Sequence, residues 1–501
     1  MISYMNDLKK GALLSYAGVA FNALSGLLYT PWMISCIGSG DYGLYTLAMS
    51  AVNLFLLDFG LGDAVSRFLS AYYAKGDEQR ANAFLGVVLK LYTAIAAVVF
   101  ALLALVYLNI DVIYANLGDD QIDIFKGLFV IVACYSVVSL PLVSFNGVLT
   151  ANEKFVALNG INLAQKVAAV VLIVVALLFN KGVFAIVLVN AGTGLVCSLL
   201  KYLVISRNTG ARYSVRTDVR ISYREVLGFS FWSMVVQICQ RFIFTIMPSV
   251  LAIVSNAWEI TLFGLASSLE SYVYTVASAL NGLFMPKVSR ILNAKDVNEL
   301  HRLNLRIGRI QLAIIGGIVG GFLAIGSRFV ACWVGPEYGM LVICTLFIII
   351  PSVFDLPLLV ENTAIVAAGY VKQRGVIYIA MAIMNIVLGF LLASRFGAAG
   401  ACAAICLSYF VRTAGQCVLY KKYLGFRLFN FLKSAYPFWL VAAGIAIVVT
   451  AIVSNGIPIE GWLGLLLCAM VFLVVYVVAL FSVYFNGSEI GLVKSLIGKG
   501  K

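Results

Sequence analysis

The sequence predicts an all-α polytopic membrane protein with about 14 transmembrane helices: two parallel six-helix repeats followed by two C-terminal helices. Hydrophobic residues make up 62% of the 501 residues and charged residues only 11%. Soluble domains carry roughly 25% charged residues, so the composition excludes a water-facing globular surface. The apolar residues form runs of membrane-spanning length, and several short motifs occur twice.

The predicted spans follow from the length of these apolar runs, since about 20 apolar residues cross a bilayer as a helix. The runs lie at 11–37, 43–72, 86–109, 124–150, 156–179, 183–205, 226–254, 260–288, 310–333, 340–370, 375–394, 400–420, 435–455 and 462–485. A short polar stretch precedes the first run, which is long enough to span. We therefore interpret it as a retained helix and not as a cleavable secretory signal.

Three pairs of motifs indicate an internal duplication, at offsets between 216 and 223 residues. The pairs are Val65-Ser66-Arg67 with Val288-Ser289-Arg290, Leu140-Pro141-Leu142 with Leu356-Pro357-Leu358, and Lys201-Tyr202-Leu203 with Lys422-Tyr423-Leu424. Each repeat holds six spans, an even number, so both halves are expected to insert with the same orientation. Duplicated membrane chains are a common plan of secondary transporters.

The repeats suggest four parts, which are an N-terminal lobe (1–205), a basic linker (206–225), a C-terminal lobe (226–424) and two extra helices with a tail (425–501). In the linker, arginines recur every four residues from Arg212 to Arg224. On a helix they would form a cationic stripe suited to an anionic membrane surface. An ordinary positively charged linker is the alternative. The extra helices fall outside the duplication and are interpreted as an appendage.

The basic residues are distributed unequally across the membrane. Of the 35 Lys and Arg residues, 28 fall on the side of the N-terminus, four on the opposite side (Lys126, Lys181, Arg328 and Arg395) and three within spans (Lys166, Arg241 and Arg412). By the positive-inside rule both termini are expected in the cytoplasm. The net charge of +13 is therefore a topology signal, and no nucleic-acid partner is expected.

The sequence offers no residues for enzyme chemistry. None of its ten cysteines has a metal-ligand spacing, and its single histidine, His301, falls in a basic loop. No HExxH, P-loop or GxSxG motif occurs. We therefore expect neither a bound metal nor a cofactor.

Several motifs near the second span resemble a known family. Asp41-Tyr42-Gly43-Leu44-Tyr45, Asp58-Phe59-Gly60-Leu61-Gly62, Arg67 and Lys75-Gly76-Asp77 are similar to the second helix of bacterial polysaccharide transporters. These are Wzx-type flippases of lipid-linked oligosaccharides, such as O-antigen units. They share a superfamily with the multidrug and toxic-compound extruders. Length, span count and duplication agree with the resemblance along nearly the whole chain.

The resemblance implies two six-helix lobes forming a V around a central cavity, with alternating access. The implied function is flipping of a polyprenyl-pyrophosphate-linked oligosaccharide, an O-antigen or capsule repeat unit, from the inner to the outer leaflet of the bacterial inner membrane. The implied partners are this lipid-linked substrate, the bilayer and polysaccharide polymerase machinery. Coupling to H+ or Na+ stays open.

Basic residues inside the spans are candidates for binding the anionic substrate. Arg241, Arg412 and Lys166 lie within spans, where charges are costly and usually face a wet cavity or a partner. Guanidinium groups hold phosphate oxygens with paired hydrogen bonds. The alternative is structural ion pairing, such as Arg241 with Glu270 or Arg412 with an acid of span ten. The repeat-related Arg67 and Arg290 would gather headgroups at the inner mouth or anchor the orientation.

Acidic residues inside the spans are candidates for carrying a coupling ion. The set comprises Glu361, Asp355, Asp58, Asp63 and Glu270. A carboxylate in a low-dielectric site holds its proton more tightly and can load and release it. Glu361 and Asp355, six positions apart, would point about 120° apart on a straight helix. Alternatively, Asp58 with the neighbouring glycines would brace close helix packing.

Three other functions are alternatives to the flippase. A multidrug exporter of the same fold usually carries a carboxylate in its first helix, whereas Leu13 to Cys36 has none. A membrane glycosyltransferase or polymerase generally needs a large extramembrane loop, and the longest outer loop, 109–123, is short. A scramblase without ion coupling stays open.

Overall fold

The structure is a computed structural model that describes residues 2–55, 61–213, 231–277, 285–294, 296–456 and 461–485. Within these ranges every regular element is helical. Asp58, the side chain of Asp63 and most of the arginine-bearing linker lie outside the described residues. The chain divides into two compact units, Met1–Thr261 and Leu262–Lys501. The four-part division drawn from the sequence stays a prediction.

The first unit contains eleven helices and the start of a twelfth among its described residues. They are α1 (Ile2–Ile37), α2 (Ser39–Phe55), α3 (Leu61–Ala74), α4 (Glu78–Leu108), α5 (Ile110–Ile113), α6 (Asp119–Ser139), α7 (Ser144–Ala151), α8 (Phe155–Leu178), α9 (Gly182–Asn208), α10 (Phe231–Thr245), α11 (Met247–Val254) and α12 (Ala257–Ala277). Helix α8 packs against α1 and α9, α2 against α6, and α3 against α7.

The second unit follows the same plan and ends with two further helices. Its remaining helices are α13 (Met285–Asn293), α14 (Val297–Trp333), α15 (Met340–Asp355), α16 (Leu359–Ala367), α17 (Val371–Leu424), α18 (Leu428–Gly456) and α19 (Gly461–Ala479), continued by a π-helical turn, Leu480–Tyr484. Within α17, Gly397 has φ 55° and ψ −134°, a conformation that favours glycine. The helix is broken there into two segments.

Eleven of the described helices are long and apolar enough to cross a membrane. One of them, α17, has 54 residues, and its break at Gly397 divides it into two segments of spanning length. Many large apolar side chains on these helices are exposed, for example Leu28, Leu178 and Leu473, as expected for surfaces that face lipid. The multi-pass membrane class predicted from the sequence is confirmed. The predicted count of 14 is approximate, because the described residues contain eleven candidate spans, of which α17 is long enough for two.

The duplication is visible in how two long helices begin. Asp77 precedes α4, and its Oδ1 accepts a hydrogen bond from the Arg80 backbone N–H at 3.0 Å. Asp296 precedes α14, and its Oδ1 accepts one from the Glu299 backbone N–H at 2.9 Å. Both are N-caps, which satisfy donors that a helix leaves unpaired in its first turn. The repeated aspartate therefore has a local structural reason.

The repeated Leu-Pro-Leu motif forms the same turn in both units. Pro141–Val143 is a 3-10 turn between α6 and α7, and Leu356–Leu358 is a 3-10 turn between α15 and α16. Proline lacks a backbone N–H and clashes with the preceding helical turn. The motif therefore interrupts each span at a corresponding place.

The last two helices pack within the second unit. Both α18 and α19 pack against α14. A Cβ atom on Gly316 of α14 would overlap the indole of Trp439, and one on Gly317 would lie 2.6 Å from Cε1 of Tyr476. Trp439 Nε1 donates to the Tyr476 hydroxyl at 3.1 Å, which in turn donates to the Ala313 carbonyl at 2.8 Å. Small residues on α14 allow this close approach.

Two arginines of α14 reinforce the same packing. Arg309, 6% exposed, donates through Nη1 to the Ser434 carbonyl at 3.3 Å and through Nη2 to the Tyr484 carbonyl. Arg328, counted on the side opposite the N-terminus, lies near the C-terminal end of α14 and donates to the Ser454 carbonyl at 2.5 Å. Each guanidinium donates to backbone carbonyls of α18 or of the π-helical turn that follows α19. These hydrogen bonds hold the last two helices against α14.

Candidate functional site

Arg412, on the second segment of α17, is the centre of a charged and aromatic cluster in the second unit. It is 2% exposed, and its Nη2 lies 2.6 Å from Oδ2 of Asp355. The guanidinium carbon lies 4.1 Å from the ring centroid of Tyr409 and 5.6 Å from that of Tyr378. The ion pair and the ring faces both stabilise a buried cation. Its Nε makes no hydrogen bond to any described residue.

The local structure explains why Asp355 reaches Arg412. Asp355 is the last residue of α15, because the following 3-10 turn contains Pro357. Helix α15 packs against α17, and Asp355 keeps a quarter of its side chain exposed. This is the pairing of Arg412 with an acid of span ten that the sequence analysis left open as an alternative.

Further polar groups surround the pair. The charge of Arg412 also acts on Glu270 and Tyr274 of α12. The Tyr378 hydroxyl accepts hydrogen bonds from Arg374 Nη2 and Gln416 Nε2, each at 3.2 Å. Arg374 is a second cation of this cluster, and it was not among the sequence-based candidates because it lies just before the apolar run 375–394.

Glu361 forms a separate pair with His301. The carboxyl group is fully buried, and its Oε1 lies 3.0 Å from Nδ1 of His301, while Oε2 has no partner among the described residues. The prediction that His301 lies in a loop is wrong, since the residue is in the second turn of α14. The helical spacing of Leu300, Leu303 and Ile307, all buried, was the signal for a longer helix.

Glu361 and Asp355 thus contact different partners. The 3-10 turn Leu356–Leu358 separates their helices, so the angle expected for a straight helix does not apply. Asp355 faces an arginine of α17 and Glu361 faces the histidine of α14.

In the first unit, two of the predicted cations contact polar atoms of neighbouring helices. Lys166 of α8 is half-buried, and its Nζ donates to the Gly18 carbonyl of α1 at 3.5 Å. Arg241 of α10 is exposed, and its Nη2 donates to Oδ1 of Asn53 on α2 at 3.3 Å.

The repeat-related Arg67 and Arg290 have the same setting. Both are exposed, on α3 and α13, while Val65 and Val288 of the same motif are fully buried. The motif places an apolar anchor on one helix face and a cation on the other. This geometry suits either headgroup contact or an orientation anchor.

Lys201 is a buried cation that the sequence analysis missed as a site residue. It is 8% exposed, and its Nζ donates to Oδ1 of Asn146 at 2.9 Å. Both residues belong to motifs that recur in the second repeat, with Asn146 matched by Asn362. The duplication itself was therefore the signal that could have found this pair. Within the described ranges, no three His, Cys, Asp or Glu side chains group closely enough to hold a metal ion.

Comparisons with known proteins agree with this architecture. A family model described as "Polysaccharide biosynthesis protein" matches residues 8–291. The chain is 22% identical over 497 residues to the "Uncharacterized membrane protein EpsK" of Bacillus subtilis (strain 168), a match that covers 94% of each chain.

Two solved structures show a similar fold. The inward closed conformation of the lipid II flippase MurJ superposes with a TM-score of 0.70 at 13% identity, covering 96% of this chain and 98% of that one. An inward-facing multidrug resistance MATE family transporter of the MOP superfamily superposes with a TM-score of 0.67 at 12% identity, covering 85% and 99%. At these identities the likeness is one of fold.

Proposed function

The chain belongs to the polysaccharide biosynthesis protein family, and from this premise we propose that it flips a polyprenyl-pyrophosphate-linked oligosaccharide across the bacterial inner membrane. The cargo would be an O-antigen or capsule-type repeat unit, moved from the inner to the outer leaflet by alternating access. Both termini would lie in the cytoplasm, as the distribution of basic residues favours. The protein would move its substrate without making or breaking covalent bonds.

The observation that carries this proposal is Arg412, a buried arginine within a membrane-spanning helix. Its guanidinium retains a donor, Nε, that no described residue uses. A pyrophosphate offers several anionic oxygens, and guanidinium–phosphate hydrogen bonds are among the stronger ones in proteins. In the proposed cycle the pyrophosphate replaces Asp355 as the counter-ion of Arg412. Arg241, Lys166, Arg67 and Arg290 would contribute further positive charge.

Ion coupling is a second part of the proposal. Asp355 would take up H+ or Na+ when the pyrophosphate displaces it from Arg412. Glu361 is the other candidate, because it is fully buried with one unpartnered carboxylate oxygen. Glu270, Asp58 and Asp63 are lesser candidates.

The test is complementation of a strain that lacks the gene. Without the protein, lipid-linked oligosaccharide should accumulate in the inner leaflet, where an impermeant periodate reagent reaches it only in inside-out vesicles. Arg412→Ala should not restore surface polysaccharide. The exposed Arg395, also on α17, gives the matched control, and Arg395→Ala should restore it. Normal flipping by folded Arg412→Ala protein would contradict the role of this arginine.

A cation-coupled multidrug exporter is the second candidate, favoured by the similarity to the MATE fold. Against it, no acidic residue lies between Leu13 and Cys36 of α1. Ethidium efflux from cells that express the protein would support this function if surface polysaccharide stayed normal in the deletion strain. A glycosyltransferase would instead yield radiolabelled product from purified protein and sugar nucleotide.

A further inference from the structure

We propose that each repeat holds one anionic phospholipid in a cavity on the side of the membrane that carries most of the basic residues. In each unit the cavity lies between one long helix and the segment that follows the last repeat helix. The first encloses about 570 Å³ and the second about 430 Å³. Both volumes fall within the roughly 300–1,000 Å³ of small-molecule sites.

The two cavities occupy equivalent places in the duplication. Ile205 and Thr209 line the first cavity, and Phe426 and Asn430 line the second. The members of each pair are related by the same 221-residue offset as Lys201 and Lys422. The opposite wall of the second cavity comes from α14, and that of the first comes from Leu89 of α4 together with Pro141, Leu142 and Phe145. The helices α4 and α14 have equivalent aspartate N-caps. A cavity retained in both repeats is therefore a property of the repeated unit.

The lining of the first cavity suits a lipid with a phosphate headgroup. Arg212 lines it together with the hydroxyl-bearing Ser206 and Thr209. Its other side is apolar and aromatic, with the rings of Phe145 and Tyr202 6.0 Å apart. Tyr202 is 48% exposed on α9, a helix long and apolar enough to span a membrane. A headgroup can thus contact the arginine while an acyl chain leaves along the aromatic side.

Local hydrogen bonds hold the wall that carries Arg212. The Arg212 backbone N–H donates to Oδ1 of Asn82 on α4 at 2.7 Å. The hydroxyls of Ser144 and Tyr213 lie 3.1 Å apart and share a hydrogen bond. The arginine side chain is exposed, so its backbone is fixed while its guanidinium can still reach a headgroup.

The second cavity has a more polar lining. Arg427, Asn298 and Asn430 supply a guanidinium and two amides, and His301 also lines the cavity. The His301 imidazole is paired through Nδ1 with the buried Glu361. Phe429, beside Asn430, is 76% exposed and offers an apolar surface at the edge of the cavity. Arginine and amide donors together match the phosphodiester of a headgroup.

Native mass spectrometry of the detergent-purified protein with added phosphatidylglycerol tests this inference. We expect wild-type protein to retain two phosphatidylglycerol molecules, Arg212→Ala and Arg427→Ala to retain one each, and the double variant none. Loss of one arginine–phosphate contact should weaken lipid binding about tenfold. The control double variant, Arg207→Ala with Arg302→Ala, removes exposed basic residues of α9 and α14 that do not line either cavity, and it should retain two.

The remaining arms identify the source of the phosphate. Phosphatidylcholine, which is zwitterionic, should be retained more weakly than phosphatidylglycerol, and 10 mM inorganic phosphate should not displace the lipid. Glu78, whose carboxylate lies beside Gly210 at the first cavity, should oppose binding, so Glu78→Gln should strengthen retention. Equal retention by the two double variants, equal retention of both lipids, or displacement by phosphate would each overturn the proposal. Size-exclusion profiles without added lipid show whether each variant is folded.

Discussion

The ion pair between Arg412 and Asp355 is unequally buried, and this inequality allows a sharp test. Arg412 is 2% exposed, whereas Asp355 keeps 25% of its side chain exposed. Asp355→Asn removes the acid and leaves a buried, unpaired guanidinium. Arg412→Leu removes the buried cation and leaves a carboxylate that can still reach water. We therefore expect Asp355→Asn to be the more destabilising of the two.

The expected magnitudes follow from the two environments. Breaking a buried pair costs about 3–5 kcal/mol, and the Tyr409 ring, 4.1 Å from the guanidinium carbon, offsets about 1 kcal/mol of this in Asp355→Asn. The loss in that variant should therefore be about 2–4 kcal/mol. For Arg412→Leu the loss should be nearer to about 1 kcal/mol, since the remaining acid is partly hydrated. The double variant contains neither charge and should lie within about 1 kcal/mol of wild type.

Thermal unfolding of the four purified proteins at one scan rate, with flipping measured in parallel, provides the assay. The apparent Tm should be lowest for Asp355→Asn and close to wild type for the double variant. Flipping should be absent in the folded double variant, because it lacks the cation proposed to hold the pyrophosphate. Equal losses in the single variants, or additive losses in the double variant, would refute the reasoning from burial. Normal flipping by the double variant would show that the pair is purely structural.

Three further predictions concern packing, capping and coupling. Gly316→Ala should destabilise the protein by about 1–2 kcal/mol, because overpacking against a fixed indole outweighs the gain in helix propensity. Gly444→Ala, where a Cβ meets nothing within 4 Å, should leave the melting temperature unchanged or raise it. Asp296→Ala should cost about 1 kcal/mol through loss of the α14 N-cap, whereas Asp296→Ser should preserve most of the stability in the same unfolding assay. Glu361→Gln should fold, since its amide oxygen can still accept from His301 Nδ1, but flipping in proteoliposomes should no longer respond to a pH gradient, and an unchanged response would exclude Glu361 as the coupling group.

The membrane class, the duplication and the family resemblance could be predicted from the sequence. The membrane-spanning helices confirm the membrane class, and the family match confirms the resemblance. Apolar length decides whether a segment spans a bilayer, and it is a local property of the chain. The repeated aspartate and Leu-Pro-Leu motifs act on the backbone within a few residues, so their structural effect is also local. The expectation for His301 was wrong because the predicted span began at residue 310, after a run of charged residues, whereas α14 begins at Val297.

The chain by itself determined which charges enter the membrane, since Arg412, Asp355 and Glu361 all lie inside apolar runs. Tertiary structure alone decided their partners: packing of α15 against α17 brings Asp355 to Arg412, and packing of α16 against α14 brings Glu361 to His301. It also decided that α18 and α19 belong to the second unit, through the glycines of α14 that admit Trp439 and Tyr476. The physical reason is that burial of a charge has a cost set by local composition, whereas its compensation depends on groups that are distant along the chain.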